Sequence, residues 1–277
     1  MKHRSISSYG FLVVMAILAV FISLPVARAE QVDTYKKIQE LKPFFGAGKN
    51  ILFDSSYEYS FVTLGARAVH WKLFTSRLMY MVRGQIPYVE VTQHERDRVS
   101  DVTIAPGAYF QFKNSSLHIE NGFGIDADYI YRYQATVEYE HRLIQNLYWK
   151  IGSRYLHYKT GDVLLAYPGF IYYFGNHYIT ANYGFSLSEG RSDAHWGSGK
   201  INLALPYQIN SFVGAAIGQR LFDIYPIEAA KQGGFILFTG IDYRIFENVK
   251  IRAGYSHSQE KPNFIKRSVD GGLAITF

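Results

Sequence analysis

The 277-residue chain contains no cysteine. Disulfides, thiolate metal sites and a cysteine nucleophile are thereby excluded, and stability has to come from packing or from a closed hydrogen-bond network. Long hydrophobic runs are also missing. Beyond residue 29 no continuous apolar stretch approaches the roughly 20 residues of a helical span, so a membrane crossing there would have to be made by strands. A large surplus of one charge sign is absent too. The formal charge is +6, and removal of residues 1–29 takes away three of 29 Lys+Arg and none of 23 Asp+Glu, leaving +3. So small a surplus gives no argument for a nucleic-acid partner. What is abundant is 23 tyrosines and 20 phenylalanines beside 24 glycines and only eight prolines. That mixture favours strands and tight turns over helices.

The first residues carry a compartment signal. "MKHR" is a basic n-region, "FLVVMAILAVFISLPV" an apolar h-region and "ARA" before Glu30 a small-residue cleavage site. Residues 1–29 are therefore expected to be a cleaved signal peptide, and Pro25 with the Ala27-x-Ala29 pattern argues against a retained helix. Residues 30–49 form a short periplasmic segment with one plausible helix, capped by Asp33 or Thr34 and ended by Pro43.

From Asn50 onward the pattern changes to alternation with short turns. In "RYQATVEYEHRL" Tyr133, Ala135, Val137, Tyr139 and Leu143 alternate with Arg132, Gln134, Thr136, Glu138, Glu140 and Arg142. In the following segment Leu147, Trp149, Ile151 and Tyr155 oppose Lys150 and Arg154, and near the end Val249, Ile251, Ala253 and Tyr255 oppose Lys250 and Arg252. About fourteen such segments are expected, with twelve as the alternative, near 51–60, 66–74, 78–87, 99–112, 116–126, 132–143, 147–158, 163–173, 177–188, 196–207, 211–220, 233–245, 249–258 and 265–277. Short turns are expected near Thr75, Asn114, Gln145, Asn176, Gln208 and Glu247. Longer connections are expected at "PYVEVTQHERD", "SEGRSDAH" and "LFDIYPIEAAKQ". Pro106 and Pro168 fall inside strands and predict bulges or bends there.

A soluble sandwich would alternate as well. Tyrosine and tryptophan, however, gather near strand ends, at Tyr57, Tyr59, Tyr129, Tyr133, Tyr155, Tyr158 and Tyr255 on one side and Trp149, Tyr172, Tyr178 and Tyr243 on the other. Two such groups suggest the aromatic girdles of a membrane barrel. The final "SVDGGLAITF" reads as a strand with Val269, Leu273, Ile275 and Phe277 on its apolar face, and its end at Phe277 resembles the carboxy-terminal assembly signature of outer-membrane barrels, which implies a last strand that closes against the first. In lipid an unpaired strand edge is prohibitive, so closure is obligatory. Residues 50–277 are thus expected to be an all-β, transmembrane, antiparallel up-and-down barrel in the bacterial outer membrane.

At "GSRYLHY" (152–158), "HYITANYGFSLSEG" (177–190) and "GGLAITF" the chain resembles the YaiO-type outer-membrane β-barrel proteins, over roughly Leu117 to Phe277. The resemblance implies an outer-membrane barrel associated with envelope or exopolysaccharide functions. It supplies no catalytic residue and no cofactor.

On the alternation above, the lumen would receive Asp54, Glu58, Lys72, Arg83, Glu120, Arg132, Glu138, Glu140, Arg142, Lys150, Arg154, Lys200, Asp242, Arg244, Lys250, Arg252 and Asp270. Both signs are present, which suits a network of paired charges with a restricted pore between its members. The expected function is a non-enzymatic narrow channel or envelope component; a polysaccharide or small solute would be its cargo. Outer-membrane lipid and lipopolysaccharide, together with the assembly machinery, would be its partners. A plugged structural barrel is one alternative. A lipid-modifying hydrolase is the other, with Ser153 and His157, or Ser256, His257 and Ser258, at the outer rim. Ser153 and His157 lie about 13 Å apart along one strand, too far for a direct hydrogen bond. "HERDR" (94–98), Asp126 and Asp128 read as solvated loop charge rather than as calcium ligands, and no metal or cofactor is expected.

Overall fold

The computed structural model describes residues 50–82, 84–97, 99–188, 193–219, 233–260 and 263–277. The expectations for residues 1–49 lie outside this set. Fourteen strands follow one another in it: β1 (Ile51–Leu64), β2 (Arg67–Tyr80), β3 (Gln85–Arg96), β4 (Val99–Gln111), β5 (Ser115–Ile125), β6 (Tyr133–Ile144), β7 (Leu147–Tyr158), β8 (Gly161–Phe174), β9 (His177–Ser188), β10 (Ala194–Leu205), β11 (Ile209–Gly218), β12 (Gly234–Phe246), β13 (Val249–Glu260) and β14 (Phe264–Thr276). Each pairs antiparallel with its sequence neighbours, and β1 pairs with β14 to close the barrel. Phe277 donates its N–H to the carbonyl of Ile51 at 2.9 Å, so the seam is bonded to its last residue.

Which face looks outward separates this barrel from a soluble one. Large apolar side chains are solvent-exposed along the strands, among them Leu78, Phe170, Tyr183, Val213, Leu237 and Val269. Polar side chains are enclosed, as at Asp101, 1% exposed, and Thr136, 3% exposed. An apolar exterior around a polar interior is the arrangement of a barrel whose outer solvent is lipid.

The connections alternate between the two ends. At the end holding both chain ends of the barrel lie 81–84, 112–114, 145–146, 175–176, 206–208 and 247–248; at the other lie 65–66, 97–98, 126–132, 159–160, 189–193, 219–233 and 261–263. The longest connections share the second end, which identifies it as the outer one and the first as periplasmic. Gly65 and Gly175 open two-residue turns at φ of 61° each, a conformation that costs glycine nothing.

Two boundaries need correction. No turn occurs at Thr75, which sits inside β2, and "PYVEVTQHERD" is not a loop but most of β3; the hairpin between them is at 81–84. The run Thr75-Ser76-Arg77 interrupts the apolar alternation inside a continuous strand, which made it resemble a turn. The prolines behave as their missing donor requires. Pairing of β4 with β5 lapses at Ala105 and Pro106, and pairing of β8 with β9 lapses at Tyr167 and Pro168, while the opposite edges pair through both prolines.

Candidate functional site

Side chains alternate along a strand, so the ladder registers assign each residue to one wall. Asp54 stands opposite Arg77 on β2 and Ala274 on β14, Arg77 opposite Glu90 on β3, and Ala274 opposite Lys250 on β13. All of these face the lumen. The lumen is the candidate functional site, because it gathers nearly all of the polar side chains that the strands enclose.

A belt of paired charges runs around much of it. Arg252 reaches across β14 to Asp54, Nη1 lying 3.2 Å from Oδ2. Lys250 binds Asp242 at 3.0 Å, and Lys266 binds Glu58 at 2.6 Å, with the Ser60 hydroxyl donating to Glu58 at 2.7 Å. Arg77 binds Glu90 through Nε at 2.8 Å and lies over the Tyr88 ring at 4.9 Å. Glu120 then accepts from the Tyr88 hydroxyl at 2.6 Å and from Gln134 at 2.7 Å. Glu138 accepts from the Tyr167 hydroxyl at 2.9 Å and lies 3.4 Å from His118 Nδ1. The Arg77–Glu90 and Arg252–Asp54 side chains are between 19% and 30% exposed. Such burial makes loss of one partner more costly than at a surface pair, yet less than the roughly 3–5 kcal/mol of a fully dry one.

The remaining acids and bases occupy defined places. Glu140 faces Lys150, Arg154 faces Thr136, and Arg142 faces Tyr148 beside the irregularity before Ile144. Arg244 faces Lys250 next to a second irregularity before Phe246. Asp270 stands between Glu58 and Gly254, its carboxylate folded onto the glycine so that Oδ2 is 2.8 Å from where a β-carbon would stand. Lys200, on β10, holds its ammonium 4.7 Å from the centre of the Phe212 ring. Two expectations are corrected. Lys72 points outward, where it binds Glu95 at 2.8 Å, because β2 runs unbroken to Tyr80 and its lumen face carries Trp71, Thr75 and Arg77 instead. Arg132 precedes β6 and is exposed in the 126–132 connection. Arg83 lies outside the described residues.

Aromatic side chains line the wall in a repeated way. Tyr88 faces Gly107, Tyr167 faces Gly152, Trp196 faces Gly184, Phe238 faces Gly214 and Phe212 faces Gly240 across adjacent strands. In each case a β-carbon on the glycine would collide with the ring. The rings therefore lie down on the neighbouring strand, filling the space that glycine leaves, instead of standing toward the axis. Three apolar clusters cap the charged belt. Leu52, Met79, Ile86 and Ala274 gather at the periplasmic end, and Val62, Val69 and Phe264, then Leu156, Tyr158 and Leu165, at the outer end.

At the outer end the 126–132 segment is fixed to β4. Asp101 Oδ2 accepts the backbone N–H groups of Asp128, Tyr129 and Ile130 at 3.0–3.1 Å. Arg96 is held between the rings of Trp71 and Tyr129, at 4.6 and 4.5 Å. Burial pushes the Tyr129 hydroxyl up to about 12. Sequence reading missed Arg77, Tyr88, Glu90, His118 and Lys266 as lumen groups, and missed Asp101 as the anchor of this segment. For the β2–β3 residues, "RG" at 83–84 followed by "QIPYVEV" was the available turn signal.

The girdles are only partly as expected. Tyr57, Tyr59, Tyr133, Tyr155 and Tyr255, with Trp149, Tyr172 and Tyr243, share the outward register, but Tyr158 and Tyr178 face the lumen and Tyr129 covers Arg96. Ser153 sits outward in the middle of β7, between Val137 and Ala166, and not at the outer rim, whereas His157 lies near that rim and binds Asp162 at 2.7 Å. His157 and Ser153 thus form no nucleophile–base pair. His94 and Glu95, adjacent in "HERDR", point to opposite faces, and among the described residues no three His, Asp or Glu side chains are arranged to hold a metal.

No curated protein sequence matches the chain. Among solved structures, the CymD monoaromatic hydrocarbon channel superposes with a TM-score of 0.62 at 8% identity, covering 91% of this chain and 95% of that one. The Pseudomonas putida toluene transporter TodX gives 0.56 at 6%, covering 90% and 94%, and a bacterial polysaccharide outer membrane secretin gives 0.55 at 4%, covering 82% and 98%. At such identities the likeness is one of fold, that of bacterial outer-membrane barrels. The model of the YaiO membrane beta barrel domain matches residues 53–202, a range that contains "GSRYLHY" (152–158) and "HYITANYGFSLSEG" (177–190) but ends before "GGLAITF". That match takes in β1 through most of β10, more than half of the sequence, and the chain belongs to the YaiO membrane β-barrel family.

Proposed function

We propose that this outer-membrane barrel is a narrow, non-enzymatic channel for hydroxyl-rich solutes of the saccharide class, linked to exopolysaccharide export. One observation carries the reading: the aromatic rings laid over glycines in the lumen are interleaved with carboxylates and amides. The Tyr167 ring over Gly152 donates its hydroxyl to Glu138, and Trp196 meets Tyr167 edge-on at 6.2 Å. A sugar ring offers a flat C–H face for stacking and hydroxyls at its edge for hydrogen bonding. Flat aromatic platforms with polar groups beside them match both parts. Hydrocarbon cargo, as in the monoaromatic hydrocarbon channel CymD and the toluene transporter TodX, suits this lumen poorly, because an apolar solute would strip water from the charged belt without replacing its hydrogen bonds.

Single-channel recording in planar bilayers tests the proposal. The purified protein should conduct, and neutral linear oligosaccharides at millimolar concentration should produce transient blocks that shorten in Trp196→Ala. Conductance indifferent to oligosaccharide would refute the saccharide assignment. Absence of conductance would favour the plugged structural barrel.

A further inference from the structure

The outward face near the outer rim carries charge that most of the barrel exterior lacks. His257 on β13 stands opposite Arg267 on β14, Arg267 opposite Phe61 on β1, and Phe61 opposite His70 on β2. Each lies three residues from the outer end of its strand, so the four form one row near the rim. They belong to the register that carries the exposed Val269 and Tyr255, and hence face lipid.

Three other charged side chains toward the outer rim are neutralised locally: Arg67 by Asp97, Lys72 by Glu95, His157 by Asp162. Arg267 is exposed and has no acidic partner among the described residues. An arginine on the lipid face is costly near the bilayer midplane and tolerable at the interface, where an anionic headgroup can meet it. The neighbours fit that role. The Tyr59 hydroxyl lies 2.6 Å from His70 Nδ1, and if it donates there the imidazole proton is left on Nε2, available to an outside acceptor. Phe61 packs edge-on against the same imidazole at 5.5 Å, fixing the ring further.

We propose that this row is a docking site for the phosphate of a phosphorylated outer-leaflet lipid, of the lipid A type. Arg267 supplies the charge and a planar fork of donors, His257 stands one strand away, and His70 stands two strands away, about 10 Å along the row. Tyr59 and Tyr255 lie directly below, in the next outward row, where the headgroup meets the acyl region. The seam between β1 and β14 lies beneath the bound lipid. The proposal stands apart from any solute in the lumen.

The test is native mass spectrometry of the full-length protein in zwitterionic detergent with added bisphosphorylated lipid A, dephosphorylated lipid A or inorganic phosphate. Lipid A should be retained, the dephosphorylated lipid should not, and inorganic phosphate should fail to displace the lipid. Arg267→Ala with His257→Ala should weaken retention about tenfold or more, and Arg267→Lys, which keeps the charge and loses the fork, should fall between that variant and the unaltered protein. Arg67→Ala, at the same rim but already neutralised, should change nothing. Heat-modifiable migration of each variant shows that it has folded. Undiminished retention by the folded double variant would overturn the proposal. So would equal retention of dephosphorylated lipid, which would indicate acyl contact, or displacement by inorganic phosphate, which would indicate a general anion site.

Discussion

Replacing Gly184 by alanine should destabilise the barrel, although alanine ordinarily improves a strand. A β-carbon at 184 would fall within the six-membered part of the Trp196 indole, which must then leave the wall. A tryptophan can bury about 150–250 Å², and release of roughly 100 Å² of the ring from the wall costs about 2.5 kcal/mol at 25 cal/mol per Å². The alanine returns about 0.5–1 kcal/mol through its lower backbone entropy. The net loss is then about 1.5–2 kcal/mol. Gly199 on β10 provides the control, since the nearest atom to its would-be β-carbon is Thr180 O at 3.8 Å. Gly199→Ala should be neutral or stabilising by up to about 1 kcal/mol. Urea-dependent folding into lipid vesicles measures both, and single-channel conductance should fall only in Gly184→Ala, as the indole swings toward the axis. Equal stability and conductance in the two variants would refute the idea that glycines hold the rings against the wall.

Val137→Arg, outward in the middle of β6, should cost about 2–4 kcal/mol, whereas lumen-facing Ser198→Arg should cost far less in the same folding assay. Thr136 does not serve as the lumen control, being enclosed at 3% exposure and opposite Arg154. Glu138→Gln with Glu140→Gln should shift the reversal potential in a salt gradient toward anion selectivity, because Lys150 and Arg154 stay in place on the adjoining strand. Asp101→Asn should weaken the anchorage of the 126–132 segment by about 1–3 kcal/mol, seen as faster hydrogen exchange at Asp128, Tyr129 and Ile130.

Strand count and barrel class were legible in the sequence because a period of two survives wherever one face meets lipid. In β6, β7, β9, β13 and β14 the apolar set reads cleanly, and the register follows from it. The β2–β3 region failed for a physical reason. Lys72 and Glu95 pair on the lipid face, and Trp71 and Leu73 on the lumen face, so polarity there reports cross-strand partners instead of the side of the wall. A phase error at Thr75 then hid Arg77 and Glu90. The glycine–aromatic pairs were beyond reach for another reason. Each joins residues on adjacent strands, and only the exact register reveals that Gly152 lies under Tyr167 or Gly107 under Tyr88.

The links across the β1–β14 seam bear on how the barrel is completed. Arg252 with Asp54, Lys266 with Glu58, and Ser60 with Ser268 each join residues from opposite ends of the barrel sequence, so none can form until the first and last strands meet. A slip of one residue would turn every side chain of β14 to the wrong face. A slip of two would preserve the faces but displace each link by roughly 7 Å. Gly272 bears on the same choice, since its missing side chain leaves room for the Arg252 guanidinium to cross β14. The three links thus act as a check on the closing register, rewarding one alignment of the final strand over the face-preserving alternatives on either side of it.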